Sequence, residues 1–119
     1  MKESIAVVTG ASQGIGRATA LRLARDFSGV VLAARNGEAL QEVAAEVKKS
    51  GADSLTAALD LRTKESAENL VNQTLARFGR IDALVNIAGA VPQIDLFEMT
   101  DAQWQDGLEL KFLALSLGQ

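Results

Sequence analysis

Four short apolar runs, separated by longer amphipathic stretches, constrain the fold of this chain more than any other feature. The runs cover residues 5–9, 30–34, 55–59 and 81–88, and polar residues do not alternate regularly with apolar ones along them. Strands that are buried on both faces have this pattern, and such strands are typical of parallel sheets. The sequence therefore predicts a parallel sheet with about four strands.

Helical periodicity fills the stretches between the runs. Apolar residues recur at spacings of three and four over residues 20–27, 40–47 and 67–78. This spacing predicts amphipathic helices that each pack one face on the sheet. Glycine commonly ends helices, and a glycine follows each pattern. The expected helix C-caps are Gly29, Gly51 and Gly79.

A last helix is expected over residues 101–117, with Thr100 as its N-cap. Its apolar residues form two stripes, one of which includes Trp104 and Phe112. A helix that is apolar on two faces packs on two sides. The resulting order β-α-β-α-β-α-β-α predicts right-handed crossovers and a doubly wound α/β sheet, in a single domain over residues 1–119.

The turn after the first run carries three glycines at the spacing G-x-x-x-G-x-G. Gly10 permits the sharp turn out of the strand, Gly14 lets a pyrophosphate approach the backbone, and Gly16 lets the helix pack closely on the sheet. The first N–H groups of the helix would then face the phosphates. The same expected phosphate site includes Ser12, Gln13 and Ile15. A tight turn without a ligand also uses glycines, but three at this spacing favour a dinucleotide site.

The second predicted strand ends in Ala34 and is followed by Arg35. Folds that bind NAD usually place an acidic residue here, which accepts a hydrogen bond from the adenosine ribose 2′-hydroxyl. A guanidinium instead suits a 2′-phosphate, because it can donate two parallel hydrogen bonds to it. Arg35 therefore favours NADP over NAD, and the alternative is a solvated loop arginine.

Polar and small residues also follow the third and fourth predicted strands. Asp60 and Leu61 end the third, where a carboxylate can accept from an adenine amino group; a helix N-cap or a surface aspartate is the alternative. Near the end of the fourth, the Asn86 amide can tie neighbouring strands, and Ala88 and Gly89 leave room for a cofactor. All these positions lie at the carboxyl ends of predicted strands, where open α/β sheets bind ligands.

Composition excludes several classes of function. The chain has no Cys, His or Tyr, which excludes disulfides, cysteine nucleophiles, Ser-His-Asp chemistry, most zinc sites and a phenolic acid or base. Its net charge of −3 gives no basic excess for binding nucleic acid. No apolar run is long enough for a signal peptide or a membrane span, so we expect no membrane partner and a cytoplasmic location.

Together these motifs resemble the N-terminal, cofactor-binding half of a classical short-chain dehydrogenase/reductase, whose Rossmann-like domain binds NAD(P). The family's T-G-x-x-x-G-x-G is matched by residues 9–16, and its adenine-binding acidic residue by Asp60. Its N-N-A-G motif is matched by residues 86–89, with Ile87 in place of the second Asn. The resemblance covers residues 5–112 and implies a nicotinamide cofactor and a small alcohol or carbonyl substrate.

The same resemblance implies catalytic residues on later elements, a Ser and a Tyr-x-x-x-Lys pair. The chain has no Tyr, and we expect it to stop before those elements. Reductases of the family also have an Asn seven residues after a helical Trp, and here Lys111 stands seven residues after Trp104. Lys111 could hold a water in place of that Asn, or it is a solvated helix residue. We therefore expect a chain truncated after about four strands and inactive by itself.

Two functions follow from these observations. In the first, the chain is the cofactor-binding half of an oxidoreductase that transfers hydride between NADP(H) and an alcohol or carbonyl carbon. In the second, it is an inactive dinucleotide-binding or interaction module that works with another chain. A four-stranded sheet would expose an unpaired apolar edge on its last strand. In family members, the helix that corresponds to residues 101–117 helps to form a dimer interface. A homo-oligomer is therefore expected.

Overall fold

The computed structural model describes residues 3–60 and 62–87, together with the backbone of residues 111–115. Each of the four apolar runs overlaps a strand, and each of the three periodic stretches overlaps a helix. In chain order the elements are β1 (Ile5–Thr9), α1 (Gly14–Leu23), β2 (Gly29–Ala34), α2 (Gly37–Lys49), β3 (Asp53–Ala58), α3 (Lys64–Phe78), β4 (Ala83–Ile87) and β5 (Lys111–Leu115).

The strands form one parallel sheet in the order β3-β2-β1-β4-β5. At the end of β1, Thr9 pairs with Ala33 on β2 and with Asn86 on β4, and Ala34 pairs with Ala58 at the end of β3. The carboxyl ends of these strands therefore lie together at one end of the sheet. The predicted doubly wound α/β fold and its strand order 3-2-1-4 are confirmed.

The helices cover both faces of the sheet. Successive residues of a strand point to opposite faces, so neighbouring core residues of β1 belong to different clusters. Val7 lies in the apolar cluster that contains Leu70 of α3, whereas Val8 lies in the cluster that contains Ala20 of α1 and Leu40 of α2. The chain therefore changes face between β3 and β4. The point where the winding reverses lies between β1 and β4, where doubly wound sheets bind ligands.

Local side chains and glycines fix the helix ends. α2 begins after Asn36 and α3 after Thr63, and each of these side chains accepts the backbone N–H three residues further on. Gly79 is the C-cap of α3 with a φ of 76°, as expected. The C-cap of α2 is Ser50, and the expected Gly51 follows it with a positive φ of 96°. Within the described residues, no helix combines the length and apolar character needed to cross a membrane.

The C-cap expected at Gly29 is wrong. α1 ends earlier, with Ala24 as its C-cap, and Gly29 is the buried first residue of β2. A Cβ at this position would lie 2.8 Å from the Ile5 Cδ1 and 3.3 Å from the Phe78 ring. Glycine therefore stands here because side chains from β1 and α3 crowd the strand, a contact between distant parts of the sequence.

The helix expected over residues 101–117 is wrong where the structure describes it. Residues 111–115 form β5, which pairs in parallel along all five residues of β4. β4 is a buried apolar strand whose outer N–H and C=O groups require partners, and β5 supplies them. The β4 edge is therefore paired, and the unpaired edge expected on this strand is wrong. Thr100 and Trp104 lie outside the described residues.

Candidate functional site

The turn between β1 and α1 lies at the carboxyl end of the sheet, beside the ends of β2 and β4. Gly10 has a positive φ of 67°, and a Cβ there would lie 3.4 Å from both the Cβ and the carbonyl oxygen of Ile87. The next residue, Ala11, donates its N–H to the Ala33 carbonyl oxygen at 3.2 Å. The turn is thus held between β2 on one side and β4 on the other.

Gly16 allows α1 to begin directly against the end of β1. A Cβ at this position would lie 1.7 Å from the carbonyl oxygen of Gly10 and 2.6 Å from its carbonyl carbon, so no side chain fits. Gly14 is different, because its φ is 59° and no atom of the described residues lies within 4 Å of a Cβ built there. The backbone at Gly14 is therefore open where a side chain would otherwise project.

The N-terminus of α1 differs from those of α2 and α3. Its N-cap residue, Gln13, makes no side-chain capping hydrogen bond, and its first turn holds no acidic residue. α2 and α3 each have a side-chain cap and an acidic residue in the first turn, Glu38 and Glu65. The first N–H groups of α1, beside the exposed residues Gly14 and Ile15, are therefore suited to bind an anion.

A buried hydrogen-bonded pair joins β1 to β4 beneath the turn. The Thr9 hydroxyl donates to the Asn86 Oδ1 at 2.7 Å and accepts the N–H of Ile87 at 3.1 Å. Thr9 and Asn86 are 0% and 1% exposed, and buried polar groups without partners are costly, so the pair fixes how the two strands meet at the site. The strand tie expected of Asn86 is present, with Thr9 as its partner.

Arg35 is the first residue after β2 and lies beside the carboxyl end of β3. The chain here is fixed, because Leu59 donates its N–H to the Ala34 carbonyl oxygen at 2.9 Å. Arg35 is exposed and forms no ion pair with another described residue. The neighbouring Asn36 side chain accepts a hydrogen bond as the N-cap of α2. Of these two polar neighbours, Arg35 is therefore the one available to a ligand.

Asp60 lies just beyond β3 and is paired with Arg62. The Arg62 Nε donates to Oδ1 of Asp60 at 3.0 Å, its Nη2 donates to Oδ2 at 2.9 Å, and its backbone N–H donates to Oδ1 at 3.1 Å. These bonds, led by those of the guanidinium and helped by the charges of Arg62 and Arg35, lower the pKa of Asp60 from 3.8 to about 2. Asp60 therefore remains an ionised hydrogen-bond acceptor throughout the neutral pH range.

The structure brings most of the predicted site to the carboxyl end of the sheet. The predicted residues that it describes there are Gly10, Ser12, Gln13, Gly14, Ile15, Gly16, Arg35, Asp60 and Asn86. The predicted residues outside the described part of the chain are Leu61, Ala88 and Gly89. Lys111 begins β5 instead of lying on a helix, and it pairs with Ala83, the first residue of β4. Its backbone is therefore at the opposite end of the sheet from the glycine turn.

Two residues that shape this site were not predicted as site residues. Thr9 holds Asn86, and Arg62 holds Asp60. The sequence signal for Thr9 is a hydroxyl at the end of an otherwise apolar run. The signal for Arg62 is its spacing two residues after an aspartate that follows a strand, because an Asx-turn can bring that N–H back to the carboxylate.

The chain has a doubly wound parallel sheet, and a glycine-rich turn and an uncapped helix lie where the winding reverses. These features define the class of dinucleotide-binding α/β proteins. A model of the short chain dehydrogenase family matches residues 4–118. The chain therefore belongs to the short-chain dehydrogenase/reductase family, a family of oxidoreductases, and the resemblance found in the sequence is confirmed.

Curated relatives of the chain include enzymes with different substrates. A 3-oxoacyl-[acyl-carrier-protein] reductase of Synechocystis sp. is 36% identical over 114 residues, which are 95% of this chain and 46% of the relative. A 1,6-dihydroxycyclohexa-2,4-diene-1-carboxylate dehydrogenase of Acinetobacter baylyi is 42% identical over 91 residues, which are 76% of this chain and 34% of the relative. The chain thus spans less than half the length of these relatives.

Similar proteins have solved structures, including two that contain a nicotinamide cofactor. An alcohol dehydrogenase from the archaeon Thermococcus sibiricus, complexed with 5-hydroxy-NADP, is 39% identical with a TM-score of 0.67, over 71% of this chain and 36% of that one. An NAD+-bound xylitol dehydrogenase is 35% identical with a TM-score of 0.66, over 69% of this chain and 32% of that one. A citronellol catabolism dehydrogenase of Pseudomonas aeruginosa is 28% identical with a TM-score of 0.82. The match covers 93% of this chain and 54% of that one.

Proposed function

We propose that this chain is the cofactor-binding half of an oxidoreductase that transfers hydride between NADP(H) and a small alcohol or carbonyl substrate. The observation that carries the proposal is the end of the sheet where the winding reverses. There an uncapped helix N-terminus adjoins an open glycine turn, and an exposed cation stands where NAD-binding folds usually have a carboxylate. These groups match the two phosphate positions of NADP.

The N-terminus of α1 would hold the pyrophosphate. Its first N–H groups have neither a side-chain cap nor an acidic neighbour to satisfy them, and the helix dipole favours negative charge at this end. The open backbone at Gly14 lets a phosphate approach. Ile15 is 53% exposed beside this turn, and an apolar ring of the cofactor would cover part of that surface.

Arg35 would select NADP over NAD. Its guanidinium can donate two hydrogen bonds to a 2′-phosphate, whereas an acidic residue at this place would repel it. Ala34, which precedes Arg35, and Ala58, which pairs with Ala34 on β3, are both small, so the ribose can approach the strand ends. Asp60 would accept a hydrogen bond from the adenine amino group, because its carboxylate is ionised and lies on the adjoining strand end.

The chemistry needs more than these residues supply. When bound, the nicotinamide ring carries the hydride. The partner for proton transfer must lie within hydrogen-bond reach of the substrate, and the chain contains no Tyr, His or Cys. Asp60 lies two strands away from β1, about 10 Å, on the adenine side. Lys111 begins a strand at the opposite end of the sheet. We therefore assign this chain binding of the cofactor and no turnover by itself.

A second candidate function is a dinucleotide-binding or interaction module without chemistry of its own. The same lack of Tyr, His and Cys favours it. The two candidates share the cofactor site and differ in whether a Ser and a Tyr-x-x-x-Lys pair accompany it in the same protein. Sequencing the reading frame beyond residue 119 for that pattern separates them directly.

Cofactor binding is the first test. In calorimetric titrations we expect the purified chain to bind NADPH about tenfold or more tightly than NADH, because only NADPH offers a second phosphate to Arg35. A Gly14→Val variant provides the control, since a β-branched residue is strained at a φ of 59° and covers the open backbone. It should lose affinity for both cofactors. Equal affinity of the parent chain for NADPH and NADH would contradict the assignment of Arg35.

Turnover is the second test. We expect no loss of NADPH absorbance above a boiled control when the chain is incubated with a panel of ketones and aldehydes. The reason is that Asp60 and the backbone of Lys111 lie away from the expected nicotinamide position, and a proton donor must lie within hydrogen-bond reach of the substrate. Turnover that is clearly above the control and disappears in Gly14→Val would show that the chain carries catalytic groups of its own.

A further inference from the structure

We propose that Arg62 is a positioning residue that fixes the Asp60 carboxylate so that its remaining lone pair accepts the adenine amino group, making the chain selective for adenine. This inference rests on the proposed function, because it concerns the base of the same cofactor. It adds a residue to the site that acts through its neighbour rather than through the cofactor itself. Its consequence is base selectivity, which is separate from the selectivity for the 2′-phosphate.

The geometry of the Asp60–Arg62 pair leaves few acceptor positions. A carboxylate has about four lone-pair positions, two on each oxygen. Oδ1 accepts both the Nε and the backbone N–H of Arg62, and Oδ2 accepts Nη2. Arg62 therefore occupies three of the four positions, and among the described residues no other donor takes the fourth, on Oδ2. A ligand amino group can use that position without displacing the guanidinium.

Hydrogen bonds hold the backbone on either side of Asp60. Before it, Leu59 donates its N–H to the Ala34 carbonyl oxygen at the end of β2. On the other side, Thr63 donates its N–H to the Asp60 carbonyl oxygen at 3.4 Å and caps α3, a helix of 15 residues. Because the backbone on both sides of Asp60 is held, pairing with Arg62 determines where its carboxylate points.

The charge of Asp60 decides what it can recognise. The bonds from Arg62 lower its pKa to about 2. At neutral pH the carboxylate is ionised and accepts hydrogen bonds without donating any. Adenine has an amino group at the position where hypoxanthine has a carbonyl oxygen. A fixed carboxylate attracts the first and repels the second. An unfixed carboxylate can turn away from the carbonyl oxygen, so Arg62 should determine how strongly the site distinguishes the two bases.

The test compares three reduced dinucleotides in calorimetric titrations: NADPH, NADH, and the NADPH analogue with hypoxanthine in place of adenine. The parent chain should bind NADPH about tenfold or more tightly than the hypoxanthine analogue. In Arg62→Gln this ratio should fall about three- to tenfold, while the NADPH-to-NADH ratio stays within about twofold of the parent's. In Arg62→Lys the ratio of adenine to hypoxanthine affinity should lie between those of the parent and Arg62→Gln, because lysine keeps the charge but lacks the planar guanidinium.

Arg22→Gln is the matched control, since Arg22 also pairs with an aspartate, Asp26, at 2.7 Å but lies in the last turn of α1. It should leave both ratios unchanged. NMR titration of Asp60 should show a pKa of about 2 in the parent and a pKa closer to 3.8 in Arg62→Gln. An unchanged adenine-to-hypoxanthine ratio in Arg62→Gln, or a change confined to the NADPH-to-NADH ratio, would overturn the inference. Failure of the parent to bind NADPH would instead overturn the proposed function, and this inference with it.

Discussion

Replacing Gly16 by alanine is expected to lower the free energy of unfolding by about 3 kcal/mol or more, the upper range for overpacking a tight site. The added Cβ would lie 1.7 Å from the Gly10 carbonyl oxygen, and that atom belongs to the backbone and cannot rotate away. Either α1 moves off the end of β1 or the glycine turn changes shape. Urea unfolding followed by circular dichroism measures the loss, and NADPH titration should show weakened binding under native conditions.

Gly37→Ala is the matched control for this prediction. It adds the same methyl group at the first residue of α2, where φ is not positive and the new Cβ would lie 3.4 Å from the Ala58 Cβ, an ordinary contact. Its unfolding free energy should change by less than about 1 kcal/mol. If Gly16→Ala proved as stable as Gly37→Ala and bound NADPH as the parent does, the close packing of α1 on the turn would be refuted.

Arg35→Asp is expected to reverse the cofactor preference. The substitution removes a charge-assisted bond to the 2′-phosphate and introduces a charge that repels it, which should weaken NADPH binding by about 1–3 kcal/mol. The same carboxylate can accept a hydrogen bond from the 2′-hydroxyl, so NADH binding should become stronger. Titration calorimetry with both cofactors measures the change, and each 1.4 kcal/mol corresponds to a tenfold change in affinity.

Arg35→Ala separates the two parts of this effect. It removes the cation without adding an anion, so NADPH binding should weaken while NADH binding stays close to the parent's. A uniform loss of both cofactors in Arg35→Asp would point to damage at the strand end instead of a change in specificity. An Arg35→Asp variant that still prefers NADPH would show that another group holds the 2′-phosphate.

Much of the site could be predicted because each of its residues lies in a short local motif or at the end of an apolar run. The glycines at 10, 14 and 16 lie in one turn, and Arg35, Asp60 and Asn86 lie at or just beyond the ends of apolar runs. In a parallel sheet the carboxyl ends of all strands meet at one end, so locating each run also located the residues near its end. The hydrogen-bond partners of these residues were harder to predict from the sequence. Arg62 is two residues from Asp60, but the direction of its side chain is set only by the folded turn.

The sequence by itself determined the strands β1 to β4, the three helices and their alternation, because apolar runs and helical periodicity are local properties. Only the tertiary structure decided what depends on contacts between distant residues. Gly29 is a buried strand residue and not a cap, because Ile5 and Phe78 crowd it. Residues 111–115 form a strand although their apolar spacing favoured a helix, because the backbone groups of β4 are satisfied by pairing with them. Thr9 and Asn86 meet for the same reason, since parallel pairing places residues 77 apart side by side.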